Sequence, residues 1–263
     1  GLGGDDAVNV GLNGVNVAPL LDSIEIFNVA NTAASALTFT GIPDVTAINT
    51  GSNLGAQSFL ELPAIVPLGV DNTDQNVILT FAAGVTDAGT DTIDLTAERV
   101  LGGDWTIPGV ETANLATAGS AASLINDLVM ADLETLNVSG GQDLEIATAL
   151  AAGVDTLDAG LATGGVTATL TGGGDVAITG GAGDDVLEEL ANGGDITVAL
   201  GAGDDVITLA GLDEPGDSVD GGDGEDTISV PSAVATAWAA ELAGVSAVEV
   251  LGISDAFAGD LDL

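Results

Sequence analysis

Aspartates that follow glycines recur at a fixed interval in the second half of this chain. Asp175, Asp185, Asp195 and Asp205 are each ten residues apart. Carboxylates held in register repel one another unless a hard cation lies between them, and oxygen is the ligand such cations prefer. The chain has no His, Cys, Lys or Tyr, and Arg99 is its single basic residue. The residue types and their spacing therefore favour cation binding over catalysis.

The charge of the chain is one-sided, with 41 Asp and Glu against one basic residue and a formal net charge of −40. Such a charge opposes compaction, yet 46% of the residues are hydrophobic, too many for a disordered acidic tail. We therefore expect cations to enter the folded state. Nucleic acid is excluded as a partner, because phosphate binding needs a basic face. No apolar run approaches the roughly 20 residues that cross a bilayer, so we expect no transmembrane segment.

Short alternating segments rich in β-branched residues separate the glycine turns, as at 176–179, 196–200 and 206–209. Such alternation predicts strands with one face inward and one face outward. Strands and turns of similar length, repeated, make a flattened coil with two strands per circuit. We therefore expect an all-β fold, a right-handed parallel β-solenoid or β-roll with coils of about 20 residues and stacked turns that bind calcium.

A coil of this length stacks the aspartates in two columns, one on each edge of the solenoid. The columns are Asp185, Asp205 and Asp226 on one edge, and Asp155, Asp175 and Asp195 on the other. Neighbouring coils lie about 4.8 Å apart, where two carboxylates repel by about 1 kcal/mol or more. Calcium accepts six to eight oxygens in flexible geometry, whereas zinc and copper prefer the His and Cys that are missing here. The columns predict a row of calcium ions.

Two segments match the nonapeptide Gly-Gly-x-Gly-x-Asp-x-(apolar)-x, at 180–188 and 221–229, and a third, at 200–208, departs from it only at the first glycine. The chain therefore resembles the RTX (repeats-in-toxin) family of secreted calcium-binding β-rolls. In that family the sixth-position aspartate and the turn carbonyls bind the ion. The resemblance implies aspartate ligands at Asp185, Asp205 and Asp226, weaker ones at Asp91, Asp155, Asp175 and Asp195, and neighbouring candidates at Asp184, Asp204, Asp223, Gly181, Gly183, Gly201, Gly203, Gly222 and Gly224.

A second repeat has the pattern apolar-x-x-apolar-Glu-x-x-Asn-apolar. It occurs at 21–29, 107–115 and 130–138, and at 245–253 with Gly in place of Asn. We call it the Glu-Asn cassette and expect it to form further coils, with Asn stacked where Asp stands elsewhere. This alternation resembles the assembly regions of RTX-type bacterial surface-layer proteins and large adhesins.

The expected organisation is one elongated domain, or a segment of a longer protein. Degenerate coils are expected over 1–150, regular calcium-binding coils over 151–230, and a short helix with terminal coils over 231–263. Capping and alanine signals place that helix at 232–243, with Trp238 filling a gap in the core, and a second helix at 120–129. Glu188 and Glu189 are expected to be solvated.

The function implied is that of a secreted structural protein that folds on binding extracellular Ca²⁺. The resemblance adds type I secretion and self-assembly at the cell surface, as a surface layer or filament, with cell-surface polysaccharide as a further partner. One alternative is an adhesin or a carbohydrate-binding β-roll module of a larger secreted protein. Another is an acidic surface adapted to a salt-loving organism. No enzymatic activity is expected, because carboxylates and hydroxyls are nearly the whole catalytic inventory.

Overall fold

The computed structural model describes residues 6–14, 16–17, 24–52, 54–190, 194–212, 216–232 and 244–254. Every complete regular element within these ranges is a β-strand. The chain divides into two compact units, an N-terminal unit (Gly1–Leu133) and a C-terminal unit (Glu134–Leu263). Each unit is a right-handed parallel β-solenoid with about 21 residues per turn, which confirms the expected fold class.

The N-terminal unit alternates strands between two faces, so that each strand pairs with a strand one coil away. Its strands are β1 (Ala7–Leu12), β2 (Asn16–Val17), β3 (Ile26–Asn31), β4 (Ser35–Thr38), β5 (Ala47–Gly51), β6 (Gln57–Leu62), β7 (Leu68–Asp71), β8 (Val77–Phe81), β9 (Thr92–Glu98), β10 (Asp104–Thr106), β11 (Thr112–Ala118), β12 (Ser123–Ile125) and β13 (Asp127–Val129). One face is ordered β1-β3-β5-β7-β9-β11 and the opposite face β13-β10-β8-β6-β4-β2, whereas β12 belongs to neither of these two.

The C-terminal unit has the same construction with shorter and more regular strands. They are β14 (Thr135–Gly140), β15 (Leu144–Ile146), β16 (Thr156–Ala162), β17 (Val166–Leu170), β18 (Val176–Thr179), β19 (Val186–Glu189), β20 (Ile196–Ala199), β21 (Val206–Leu209), β22 (Ser218–Asp220), β23 (Thr227–Val230), β24 (Val245–Ser246) and β25 (Val250–Ile253). One face is ordered β14-β16-β18-β20-β22-β24 and the other β15-β17-β19-β21-β23-β25. The turns that connect the two faces are therefore stacked on one another along each edge.

Inward-facing side chains of successive coils pack on each other and form the core. In the C-terminal unit, Leu187, Ile207 and Ile228 are in register and wholly buried. The N-terminal unit adds aromatic rings, with the centroids of Phe27 and Phe39 5.0 Å apart in an edge-to-face arrangement. Each such side chain contributes about 1.5–3 kcal/mol on burial, so stacking is what makes a single coil stable.

The helix expected over 120–129 is wrong, because this segment forms β12 and β13. Strand β13 pairs with β10, which places Leu128 opposite the wholly buried Trp105. This stacking on the neighbouring coil outweighs the local helix signal. Of the helix expected over 232–243, positions 233–243, including Trp238, lie outside the described residues. Within the described ranges, no helix is long and apolar enough to cross a membrane.

Candidate metal centre

A column of wholly buried carboxylates runs along one edge of the C-terminal unit. Asp185, Asp205 and Asp226 immediately precede β19, β21 and β23, and each of the three residues is 0% exposed. The strands that follow them are paired in register, Val186 with Val206 and Val206 with Thr227. The predicted stacking of these three aspartates is therefore confirmed, and their role as ligands remains a prediction.

Each carboxylate of the column accepts a backbone hydrogen bond from the preceding coil. The Asp185 amide donates to Asp205 Oδ1 at 2.7 Å, and the Asp205 amide donates to Asp226 Oδ1 at 3.0 Å. The Val166 amide donates to Asp185 Oδ1 at 2.7 Å. These bonds fix every carboxylate against the coil before it, so the column is rigidly defined.

The second oxygens of these carboxylates divide the column into two kinds of position. The Oδ2 atom of Asp185 accepts the Gly181 amide at 2.8 Å, within its own turn. The Oδ2 atoms of Asp205 and Asp226 are buried and have no hydrogen-bond partner. A buried acceptor without a partner destabilises the fold, because it has lost the hydrogen bond that water would otherwise donate to it. The two unpartnered oxygens are therefore the atoms of the column most suited to a cation.

The C-terminal unit contains no basic residue that could neutralise the column, because the single one in the sequence, Arg99, lies in the N-terminal unit. There its guanidinium pairs with Asp71 at 2.7 Å. Burial raises the pKa of Asp205 to about 6, and repulsion by Asp185 and Asp226 adds to the effect. Burial also raises the pKa of Asp185. Uncompensated buried charge of this kind requires a proton or a cation.

The glycines before Asp205 and Asp226 allow the turns to stack closely. Gly201, Gly203, Gly222 and Gly224 have φ angles of 103°, 131°, 99° and 148°, in the left-handed region that favours glycine. A Cβ atom added to Gly222 would collide with the Gly201 carbonyl, and one on Gly224 would collide with the Gly203 carbonyl. These carbonyls can therefore approach the next turn only because glycine stands at 222 and 224.

The first nonapeptide turn, at 180–185, has a different conformation. Gly181 and Gly183 are outside the left-handed region, and the Gly181 amide is used to bind Asp185. A Cβ atom at Gly183 would still meet the backbone of Gly164. This turn is therefore closely stacked like the others, but its own Gly181 amide already donates a hydrogen bond to the second carboxylate oxygen of Asp185.

The remaining candidates of this edge, Asp184, Asp204 and Asp223, are exposed. The Asp204 amide donates to Asp184 Oδ1 at 2.9 Å, and the Glu225 amide donates to Asp204 Oδ1 at 2.9 Å. These acids form an outer row beside the buried column. Because they are solvated, they need no counter-ion to be tolerated, and any ligand role for them remains a prediction.

The opposite edge carries the second predicted column, and there the carboxylates are exposed. Asp155, Asp175 and Asp195 line a cavity of about 330 Å³, and the Asp195 amide donates to Asp175 Oδ1 at 3.1 Å. Asp91, in the N-terminal unit, is half-buried and accepts the Ala88 amide at 3.3 Å. These four positions have water available in place of an ion.

The glutamate of the Glu-Asn cassette occupies a position that sequence reasoning did not assign. The Asp226 amide donates to Glu249 Oε2 at 2.9 Å, and the Asp91 amide donates to Glu111 Oε2 at 2.7 Å. The cassette does form coils as predicted. However, the cassette asparagine does not stack on the turn aspartate. The Asn114 side-chain amide donates to Asp94 Oδ1 on strand β9 at 2.8 Å, whereas the turn residue Asp91 bonds to Glu111. The signal was present in the sequence, because Glu stands at the same place in all four copies.

The prediction that Glu189 is solvated is wrong, because this residue is wholly buried. It ends β19 and lies in register between Leu170 and Leu209 of the neighbouring coils. The alternation that points Leu187 inward points Glu189 inward as well. Glu188 is half-buried and accepts the Thr169 hydroxyl at 3.2 Å.

The described residues contain no group of three or more His, Cys, Asp or Glu side chains that could hold a metal ion. An ion at the buried column would therefore use one or two carboxylates and complete its shell with backbone carbonyls. Calcium accepts such a mixed oxygen shell in flexible geometry. The unpartnered oxygens of Asp205 and Asp226 fit this chemistry, and the carbonyls of Gly201 and Gly203 lie close to the backbone of the next turn at Gly222 and Gly224.

Comparison with protein-family models finds no match to this chain, and comparison with curated proteins finds none either. The fold and the site therefore define the class by themselves: a parallel β-solenoid with a buried column of carboxylates along one edge.

Proposed function

We propose that this protein is a secreted calcium-binding structural protein of the RTX type, which folds when its buried acidic column takes up extracellular Ca²⁺. The observation that carries the proposal is the column itself. Three wholly buried carboxylates lie in one unit with no basic residue, and two of them leave an oxygen without a partner. Asp205 and Asp226, with the carbonyls of Gly201 and Gly203, would hold the ion.

Calcium binding would be coupled to folding because the site does not exist in the unfolded chain. The ligands come from successive coils, so binding free energy becomes folding free energy. Extracellular calcium modules bind at about 10⁻⁴–10⁻³ M, well above the calcium level of a cytosol. The chain would therefore remain unfolded inside the cell, pass through a type I secretion channel, and fold outside.

Self-assembly at the cell surface is the second part of the proposal. A chain with a net charge of −40 repels its own copies, and calcium between the exposed acids of two molecules would reverse this. The outer row of Asp184 and Asp204 and the exposed acids of the opposite edge are suited to such bridges. Light scattering with and without calcium tests this step, and a calcium-loaded chain that stays monomeric at all concentrations would contradict it.

A carbohydrate-binding module or adhesin is the second candidate, and one feature of the N-terminal unit favours it. Asn28 donates to Asn9 Oδ1 at 3.1 Å, and Asn49 donates to Asn28 Oδ1 at 3.0 Å. This asparagine ladder lines a cavity of about 490 Å³ that also includes Asp71. Amides match sugar hydroxyls in hydrogen bonding, but none of the described residues that line the cavity is aromatic. A glycan array separates this candidate from the first.

We propose no catalytic activity and no nucleic-acid partner for the chain, because the composition lacks the groups that either would need. An acidic surface adapted to high salt would account for exposed carboxylates. It would not account for the buried ones, for which water is excluded.

Circular dichroism during a calcium titration, with magnesium as the control, tests the proposal. We expect a cooperative gain of β-structure at calcium concentrations of about 10⁻⁴–10⁻³ M. Magnesium should fail at the same concentrations, because it requires near-octahedral geometry and holds its water. A spectrum that is unchanged by calcium, or an equal response to magnesium, would contradict the proposal.

A further inference from the structure

The column of stacked acids continues beyond Asp226 to a fourth, exposed member that is not part of any nonapeptide. Strand β25 follows Glu249 directly, and its first residue, Val250, pairs in register with Thr227. Glu249 therefore stands one coil beyond Asp226, in the position that Asp226 holds relative to Asp205. The column ends in a cassette glutamate.

The turn that carries Glu249 is shorter than the turns before it. Asp220 pairs with Ser246, and Thr227 pairs with Val250, so 221–226 is matched by only 247–249. The glycine nonapeptide is missing from this turn, and a glutamate, which is one methylene longer than aspartate, occupies the column position. Its carboxylate reaches back to accept the Asp226 amide at 2.9 Å.

Three oxygen-bearing groups lie next to the 221–226 turn: the Asp226 carboxylate, the Ala247 carbonyl and the Glu249 carboxylate. The Oδ2 atom of Asp226 is buried without a partner, although the residue is wholly buried. A Cβ atom added to Gly221 would lie 2.7 Å or less from both this Oδ2 atom and the carbonyl oxygen of Ala247. Ala247 adopts a left-handed conformation with φ 51°, which is uncommon for a residue with a side chain. The carboxylate of Glu249 accepts the Asp226 amide, and Glu249 is exposed.

The same pairing occurs twice in the N-terminal unit. The Asp6 amide donates to Glu25 Oε2 at 2.8 Å, and the Asp91 amide donates to Glu111 Oε2 at 2.7 Å. The cassette glutamate therefore repeatedly fixes the aspartate of the preceding coil. Asp6 and Asp91 are half-buried, so the pair at Asp226 is the one that combines the glutamate with a wholly buried, unpartnered carboxylate oxygen.

We propose that Asp226, Glu249 and the Ala247 carbonyl form a terminal divalent-cation site that closes the buried column. Glu249 has two roles there: it positions Asp226 through the amide bond, and it supplies a second carboxylate from the solvent side. This inference rests on the proposed calcium-dependent function and extends it to a coil without a nonapeptide. The ion suited to this mixture of carboxylate and carbonyl oxygens is Ca²⁺.

Native mass spectrometry of the full chain, titrated with Ca²⁺ alone, counts the ions that each variant holds. The variant Glu249→Gln keeps an oxygen that can accept the Asp226 amide but removes the charge. We expect it to bind one ion fewer than the wild type at a concentration that saturates the wild type. The matched control is Glu145→Gln, an exposed glutamate of the same unit, which should leave the count unchanged.

Hydrogen exchange at the Asp226 amide, measured on the folded chain, tests the positioning role separately. We expect exchange to be faster by about tenfold or more in Glu249→Ala, which has no acceptor, and nearly unchanged in Glu249→Gln. Equal exchange in the two variants would overturn the positioning role. If Glu249→Ala does not fold, Glu111→Ala and Glu111→Gln give the same comparison at the Asp91 amide.

The two proposals fail in different ways. A wild-type chain that binds no calcium would overturn the proposed function and this site together. A wild-type chain that binds calcium, with an unchanged ion count in Glu249→Gln, would overturn the terminal site alone and leave the proposed function standing.

Discussion

Replacing Asp205 by Asn should have opposite effects on the protein with and without calcium. The Asn side chain keeps an oxygen for the Asp185 amide, which Asp205 Oδ1 accepts at 2.7 Å. It removes the negative charge from the centre of the buried column. Without calcium that charge is uncompensated and destabilising, whereas with calcium it is a ligand.

The size of the effect without calcium follows from the pKa of Asp205. Burial raises this pKa from an ordinary 3.8 to about 6. Each pKa unit corresponds to about 1.4 kcal/mol, so the ionised carboxylate costs on the order of 3 kcal/mol at neutral pH. Asp205→Asn should raise the free energy of unfolding of the chelated protein by that amount.

With calcium, the same substitution removes a ligand oxygen with its full charge. We expect the calcium midpoint for folding to rise by about tenfold or more, since 1.4 kcal/mol corresponds to a factor of ten. The assay is circular dichroism, with a calcium titration for the loaded state. For the chelated state, folding is induced with trimethylamine N-oxide, which strengthens burial.

The matched control is Asp204→Asn, one residue away. Asp204 is exposed and its Oδ1 atom accepts the Glu225 amide at 2.9 Å, so Asn again keeps the acceptor. This control removes the same charge from the surface and should change either quantity by less than about 0.5 kcal/mol. A change of the same sign in both conditions for Asp205→Asn, or equal effects of the two variants, would refute the reasoning.

Three further predictions concern pH, the turn glycines and the single arginine. Because the folded-state pKa of Asp205 lies at about 6, above its ordinary 3.8, its contribution to the stability of the chelated protein is present below about pH 4 and is lost as the pH rises through 6; a pH series should show this fall, and Asp205→Asn should reduce it. Gly224→Ala, at φ 148°, should cost about 2 kcal/mol or more in the calcium-loaded state by urea unfolding, whereas Gly173→Ala, with nothing within 4 Å of the added Cβ, should cost less than about 1 kcal/mol. Arg99→Met should lower the free energy of unfolding by about 1 kcal/mol at most, because its ion pair with Asp71 is partly exposed; a larger loss would show that the arginine compensates more of the charge than this pair.

The two-edge arrangement of the aspartates could be predicted because strand and turn have similar lengths. The ten residues from Asp185 to Asp195 then span about half a coil, so Asp195 lies on the opposite edge. The twenty residues from Asp185 to Asp205 span a whole coil, so these two lie on the same edge. The sequence could not show which edge is buried. Burial depends on how each turn packs in three dimensions, which a regular spacing does not carry: Asp185, Asp205 and Asp226 are wholly buried, whereas Asp155, Asp175 and Asp195 are exposed.

The role of Glu249 could not be read from spacing, because 23 residues separate it from Asp226 and the column interval elsewhere is 20 or 21. Asp220 and its partner Ser246 are 26 residues apart, whereas Thr227 and its partner Val250 are 23 apart. The extra residues therefore precede the turn, and the turn itself is three residues shorter than the one before it, which only the strand register reveals. The predictions for Glu189 and for the 120–129 segment are wrong for a related reason. Charge and alanine content are local signals, whereas stacking on the neighbouring coils decides the burial of Glu189 and the strands of 120–129.

The most direct test of the account is an anomalous difference map from crystals of the calcium-loaded chain. We expect peaks beside the Oδ2 atoms of Asp205 and Asp226, from ions that carbonyl oxygens of the glycine turns also coordinate. An ordered chain whose column shows no peak, and which keeps its full β-structure after exhaustive chelation at neutral pH, would contradict it.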